Sequence, residues 1–173
     1  LDPARFIPVP IAIDKQGRWL LNDLSLIEQG ARALPVFRDA PAVLLPPNPP
    51  AHAEATELVP YHPAASSVLP LSSRIDVVFP ALHGTLCEDG TLQGLFELAE
   101  VPYVGCGVLA SAVGMDKDTA KRLARDAGLP IVPFCLVTPG SWKTDPHAVA
   151  QTVARELGYP CFVKPSSSGS SVG

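Results

Sequence analysis

Apolar and other residues alternate from Phe6 to Ile13, and after Lys15-Gln16-Gly17 a second apolar run follows at Trp19-Leu20-Leu21. A period of two interrupted by a glycine turn predicts a strand, a turn and a second strand. Pro8 and Pro10 lack the amide that a central strand needs, which places this hairpin at a sheet edge. From Pro35 to Pro70 the pattern dissolves into Pro, Ala, Asn and His, and predicts a long irregular loop region with one short strand at Ala42 to Leu45.

Regularity returns after Pro70. Ile75-Asp76-Val77-Val78-Phe79 reads as a buried strand that stops at Pro80. A loop through Gly84 and Gly90 leads to Thr91–Glu100, where Leu92, Leu95, Phe96 and Leu98 recur at helical spacing. Val101 to Gly105 is short and β-rich, so strand, loop, helix and strand form a βαβ unit and predict a parallel sheet with a right-handed crossover. Met115 to Gly128 carries a full set of helix signals: Asp116 as N-cap, Ala120, Leu123, Ala124 and Ala127 on one face, and Gly128 then Pro130 beyond the end. A strand at Ile131–Val137, a helix at Asp145–Leu157 and a strand at Cys161–Lys164 complete the prediction. The fold class is therefore α/β.

Composition narrows the classes of function. At 173 residues, 47% of them apolar, the chain can bury a core. Its 17 acidic and 13 basic residues are scattered, with no basic run to follow a phosphate backbone, which argues against nucleic acid. No stretch of about 18 uncharged apolar residues would span a membrane. The start, Leu1-Asp2-Pro3-Ala4-Arg5, has neither an initiator Met nor the apolar core of a signal peptide, so a cytoplasmic protein with a cut N-terminus is expected. Cys87, Cys106, Cys135 and Cys161 form no Cys-x-x-Cys pair, and read as reduced, buried thiols rather than as a metal site. The sequence leaves a homodimer open.

Two segments hold candidate chemistry. Lys117 lies in the first turn of a predicted helix, and Lys164 ends a predicted strand just before Ser166-Ser167-Ser168-Gly169-Ser170-Ser171-Val172-Gly173. Consecutive amides and serine hydroxyls beside a cation suit phosphate oxygens, although by spacing alone the run equally describes a flexible linker. The loop His83-Gly84-Thr85-Leu86-Cys87-Glu88-Asp89-Gly90 follows a predicted strand, where ligands collect in open α/β sheets. His83 and Glu88 are candidate site residues or turn stabilisers, and Asp89 suits a helix N-terminus. His52, His62 and His147 are expected at the surface.

Taken together, three runs resemble the bacterial D-alanine:D-alanine ligases in order and separation: His83 to Gly94, Pro102-Tyr103-Val104-Gly105 through Ala110-Ser111-Ala112 to Met115-Asp116-Lys117, and Phe162-Val163-Lys164-Pro165 with Gly169 to Gly173. The likeness is strongest from Asp76 to Gly173 and weakest from Ala31 to Pro70. It implies an ATP-grasp enzyme of peptidoglycan synthesis, in which ATP phosphorylates one D-alanine carboxylate and the amine of a second attacks the acyl phosphate. By the same resemblance, residues 1–114 form a partial parallel-sheet domain lacking its first strand, and 115–173 a truncated central ATP-grasp subdomain. Lys117 and Lys164 are implied to neutralise ATP phosphates. Phe162, Ser170, Ser171 and Val172 belong to the nucleotide site, and His83, Glu88 and Ser170 contact D-alanine, with His83 and Ser170 acting in catalysis. The resemblance implies Mg²⁺, with its acidic ligands after Gly173, and a glutamate for the first D-alanine before Leu1; a fragment without them is expected to be inert alone. Cys87 stands where relatives usually carry glycine, which bears on the loop if that glycine serves a positive φ. Other readings are a ligase making D-alanyl-D-lactate or D-alanyl-D-serine, and a non-catalytic α/β binding module.

Overall fold

The structure, a computed structural model, describes residues 2, 4–23, 25, 40–47, 56–61 and 74–169. It divides into two compact units: residues 1–80 with 94–105, and residues 81–93 with 106–173.

The first unit is built on the expected hairpin. Strand β1 (Ile11–Ile13) pairs antiparallel with β2 (Trp19–Leu21), Ala12 opposite Leu20. The turn closes because Asp14 accepts from the amides of Gln16 (2.9 Å) and Arg18 (2.8 Å) and from Arg18 Nε (2.7 Å), while Gly17 takes φ 79°. β2 also pairs with β3 (Ala42–Leu44), and β3 with β5 (Val59–Pro60), giving the antiparallel order β1-β2-β3-β5 with β1, which follows Pro8 and Pro10, at an edge, as anticipated. A second ladder joins β4 (Thr56–Glu57) to β6 (Arg74–Ile75). Leu20, Val43, Phe96 and Ala99 are sealed from solvent. Burial of a side chain such as Phe96 contributes about 1.5–3 kcal/mol. Thr56 is buried too, and its hydroxyl donates to Ala99 O (2.9 Å), so no buried donor is left unmet there.

The parallel sheet is much smaller than the βαβ pattern predicts. Its helix is present as α1 (Thr91–Leu98), but parallel pairing among the described residues reduces to one bridge, Val78 with Tyr103, carried by Val78 N to Pro102 O (2.8 Å) and Val104 N to Val78 O (2.9 Å). Proline at 80 and at 102 removes the amides that would extend the ladder, and Glu100, in a left-handed conformation (φ 51°), turns the chain just before it. The predicted loop region from Pro35 to Pro70 supplies β3, β4 and β5; most of the remainder, with His52 and His62, lies outside the described residues.

The second unit holds four further helices among its described residues: α2 (Val108–Met115), α3 (Lys117–Asp126), α4 (Pro139–Thr144) and α5 (Pro146–Glu156). Asp116 alone separates α2 from α3. Its extended backbone (φ −83°, ψ 105°) ends the first helix, and its carboxylate accepts from Thr119 N (2.8 Å) to start the second, the N-cap predicted for it. Asp145 caps α5 in the same way through Ala148 N (2.9 Å). Helix α2 escapes a pattern search because Val-Leu-Ala-Ser-Ala-Val-Gly-Met is apolar on every side.

Two predicted strands do not form. Ile131–Val137 and Cys161–Lys164 join no ladder among the described residues, and Val132, Phe162 and Val163 are 74%, 94% and 93% exposed. A β-rich run becomes a strand only when a neighbour takes its hydrogen bonds. Here α3 holds the first run by side chains instead: Lys121 Nζ donates to Val132 O (3.3 Å) and lies over the Phe134 ring at 4.8 Å. The four thiols are free as expected, yet none is fully buried: Cys106 is exposed and the others are half-buried. His147 is exposed, as expected. No helix among the described residues is long and apolar enough to cross a membrane.

Candidate active site

Three segments far apart in sequence meet inside the second unit: the His83 loop, the junction of α2 and α3, and the Ser166–Gly169 loop. The His83 loop is folded by its own carboxylates. Gly84 N donates to Glu88 Oε2, Glu88 N donates back to Gly84 O (3.0 Å), and Glu88 Oε1 stands 3.9 Å from His83 Nδ1. Asp89 receives Leu86 N (2.7 Å) on one oxygen and Thr91 N (3.0 Å) on the other, the first and strongest of several contacts that hold its carboxyl below the usual range. It therefore staples the loop and starts α1, the N-terminal role anticipated for it. The left-handed positions are Gly84 (φ 88°), Leu86 (φ 69°) and Gly90 (φ 93°). Cys87 is not among them, so its side chain is tolerated without a glycine. Burial, then the charges of Asp89 and Glu88, push the Cys87 thiol up.

The Ser166–Gly169 loop is bound to the start of α3. Lys117 N donates to Ser166 O (3.0 Å), and Lys117 Nζ donates to Ser168 O (2.7 Å) and Ser166 O (3.4 Å). Asp116 Oδ2 receives both Ser166 Oγ and Ser167 Oγ at 2.9 Å. The tip of this loop rests on the other two segments: a Cβ added to Gly169 would lie 3.4 Å from Glu88 Oε2, 3.5 Å from Met115 Cε and 3.6 Å from Gly84 Cα. A glycine here allows the close approach of loop to loop.

Of the residues singled out in the sequence, His83, Glu88 and Lys117 thus belong to one cluster. His83 is 83% exposed, so its imidazole is open to a ligand. Lys164 and Phe162 are exposed on the segment leading into the serine loop, and Lys164 makes no hydrogen bond or ion pair among the described residues. Ser170, Ser171 and Val172 lie outside the described residues. The sequence reading assigned Asp116 only its cap, and passed over Gln93, whose buried amide donates to Cys87 O (3.0 Å) and ties the His83 loop to α1. Both carry a local signal, a carboxylate before a lysine and a polar residue on an apolar helix face, but their partners lie elsewhere in the chain.

The donor set suits an anionic ligand such as a nucleotide polyphosphate. An ammonium has three donors; two of those on Lys117 meet carbonyls and one is left, and the exposed Lys164 offers three more. For Mg²⁺ the same residues do not supply a site: no group of three or more His, Cys, Asp or Glu among the described residues is placed to hold a metal ion.

Comparison with known proteins points the same way. The family model described as D-ala D-ala ligase N-terminus matches residues 1–106, and that described as D-ala D-ala ligase C-terminus matches residues 123–173. The chain is 49% identical over 174 residues to D-alanine–D-alanine ligase A of Bradyrhizobium diazoefficiens, covering 100% of this chain and 45% of that protein. It is 42% identical over 175 residues to the D-alanine–D-alanine ligase of Heliobacterium modesticaldum, covering 100% and 44%. The chain thus spans a little under half the length of the curated relatives it matches. Among solved structures, VanG D-Ala:D-Ser ligase from Enterococcus faecalis superposes with TM-score 0.72 at 29% identity, over 99% of this chain and 46% of that one. The D-alanine-D-alanine ligase from Coxiella burnetii gives TM-score 0.64 at 31% identity, over 91% and 42%.

Proposed function

Because the chain belongs to the D-alanine–D-alanine ligase family, we propose that it forms part of a cytoplasmic enzyme that joins two D-alanines, using ATP, for peptidoglycan synthesis. In this reading residues 1–114 serve as the substrate-side domain and 115–173 as the central ATP-grasp subdomain. ATP supplies a phosphoryl group that turns a D-alanine carboxylate into a good acyl donor. The observation that supports the assignment is the contact of the Ser166–Gly169 loop with both Lys117 and the His83 loop, since phosphate groups and a carboxylate to be phosphorylated must share one site.

Each residue then has a physical task. Lys117 holds the serine loop through two carbonyls and presents its remaining proton to phosphate; Lys164 supplies a second cation from the strand-like segment before the loop. Charge that builds on phosphate and carbonyl oxygens during transfer is best met by such fixed donors. His83, exposed and 3.9 Å from the Glu88 carboxylate, faces the first D-alanine and donates to its carboxylate or to the acyl phosphate. Glu88 orients His83 and shapes the loop through Gly84 N. Ser170, Ser171 and Val172 are assigned to the nucleotide by the family pattern, Ser170 also to D-alanine, and Phe162 to the nucleotide. Mg²⁺ would take its ligands from outside the described residues and would offset phosphate charge.

The test is dipeptide formation by the intact protein containing this chain, with ATP and a panel of D-alanine, D-serine and D-lactate. D-alanyl-D-alanine with stoichiometric phosphate is expected. A depsipeptide or a mixed D-alanyl-D-serine product as the main outcome, or no ATP-dependent product, overturns the proposal.

A further inference from the structure

In the serine run after Lys164 the first two hydroxyls are already committed. Ser166 Oγ and Ser167 Oγ both donate to Asp116 Oδ2 (2.9 Å each), across 50 and 51 residues of sequence. A hydroxyl carries one proton, so neither can donate to a phosphate oxygen while the tether stands. The other Asp116 oxygen accepts from Thr119 N (2.8 Å), and the next residue adds Lys117 N to Ser166 O (3.0 Å) and Lys117 Nζ to Ser168 O (2.7 Å). One carboxylate at the α2–α3 junction thus caps a helix and pins the base of the loop with two charge-assisted hydrogen bonds, stronger than neutral ones.

We infer that Asp116 is a positioning residue for the reaction: it anchors Ser166 and Ser167 so that the backbone amides of Ser168 and Gly169 are presented to the nucleotide phosphates at a fixed distance from Lys117. The inference deepens the proposed function and rests on it for the identity of the ligand. Among the described residues the loop divides into an anchoring pair, Ser166 and Ser167, and a ligand-facing pair, Ser168 and Gly169. Three hydrogen bonds to this carboxylate also hold its pKa well below the ordinary range, led by the Thr119 amide, so the anchor is ionised throughout the neutral region.

The experiment separates tether from ligand. Asp116→Ser keeps an N-cap acceptor for Thr119 N but is too short to reach Ser166 and Ser167. The intact protein bearing D116S is examined by hydrogen exchange across residues 165–169 and by steady-state kinetics. Faster exchange is expected, with KM for ATP raised about tenfold or more, since both charge-assisted hydrogen bonds to the loop are lost. The exchange of α3 amides stays unchanged, and Asp116→Asn, which can bond both serines but without the charge, recovers part of the loss. The double variant S166A/S167A, which leaves the cap intact, should behave like D116S and serves if that variant folds poorly. Unchanged exchange at 165–169 in both variants overturns the tether. Faster exchange with an unchanged KM for ATP overturns the phosphate role of the loop, and with it the proposed function at this site, while upholding the tether.

Discussion

Lys117 and Lys164 are both assigned to nucleotide phosphates, yet their surroundings differ, and the difference predicts that their replacement separates stability from ligand binding. In Lys117→Met the stem is kept and the ammonium lost. The contact to Ser168 O at 2.7 Å is a full hydrogen bond, whereas that to Ser166 O at 3.4 Å lies beyond the usual range and counts for little. One charge-assisted bond is therefore removed, a loss of about 1.5 kcal/mol at a half-buried site. Lys164→Met removes an exposed ammonium with no partner among the described residues, so stability should stay within about 0.5 kcal/mol. Toward ATP the two converge. An ammonium about 4 Å from a phosphate charge at an effective dielectric near 20 gains about 4 kcal/mol before desolvation and ordering are subtracted. A net loss of about 1.5–3 kcal/mol raises the Kd for a non-hydrolysable ATP analogue about ten- to a hundredfold in each variant. Urea unfolding and isothermal titration calorimetry on the intact protein measure the two quantities separately. If K164M binds the analogue like the parent, or if both variants lose stability equally, the division of labour is wrong.

Two further outcomes follow from the His83 loop. Gly90→Ala places a Cβ 2.8 Å from Val108 O at φ 93°, and should cost about 2–3 kcal/mol in thermal unfolding; Gly84→Ala, at φ 88° in open space, should cost only about 1 kcal/mol of backbone strain. Equal effects would refute the close packing of this loop on α2. Because burial and the Asp89 and Glu88 charges raise the Cys87 pKa, its thiolate forms at higher pH than that of an ordinary thiol. Alkylation followed from pH 7 to 10 should therefore inflect above the usual cysteine range, whereas a rate already at its plateau near pH 8.5 would contradict the burial.

Much of this was legible in local signals. The β1–β2 hairpin was written in alternation and a glycine turn, α3 and α5 in Asp116 and Asp145 before their first turns, and α1 in the spacing of Leu92, Leu95 and Phe96. Features that depend on distant partners were not. Ile131–Val137 and Cys161–Lys164 have the composition of strands, but strand formation is decided by a neighbour that composition does not name. The candidate site divides in the same way. His83, Glu88, Lys117 and Lys164 stand out by residue type and place, whereas the grip of Asp116 on Ser166 and Ser167, and of Gln93 on the Cys87 carbonyl, appears only when the chain is folded.

The most direct measurement is lysine acetylation of the intact protein, resolved by mass spectrometry, with and without ATP. Bound nucleotide should slow acetylation of Lys117 and Lys164 while leaving Lys15 and Lys143 unchanged. Labelling of Lys164 at the same rate with saturating ATP would contradict a site in which both ammonium groups face the phosphates.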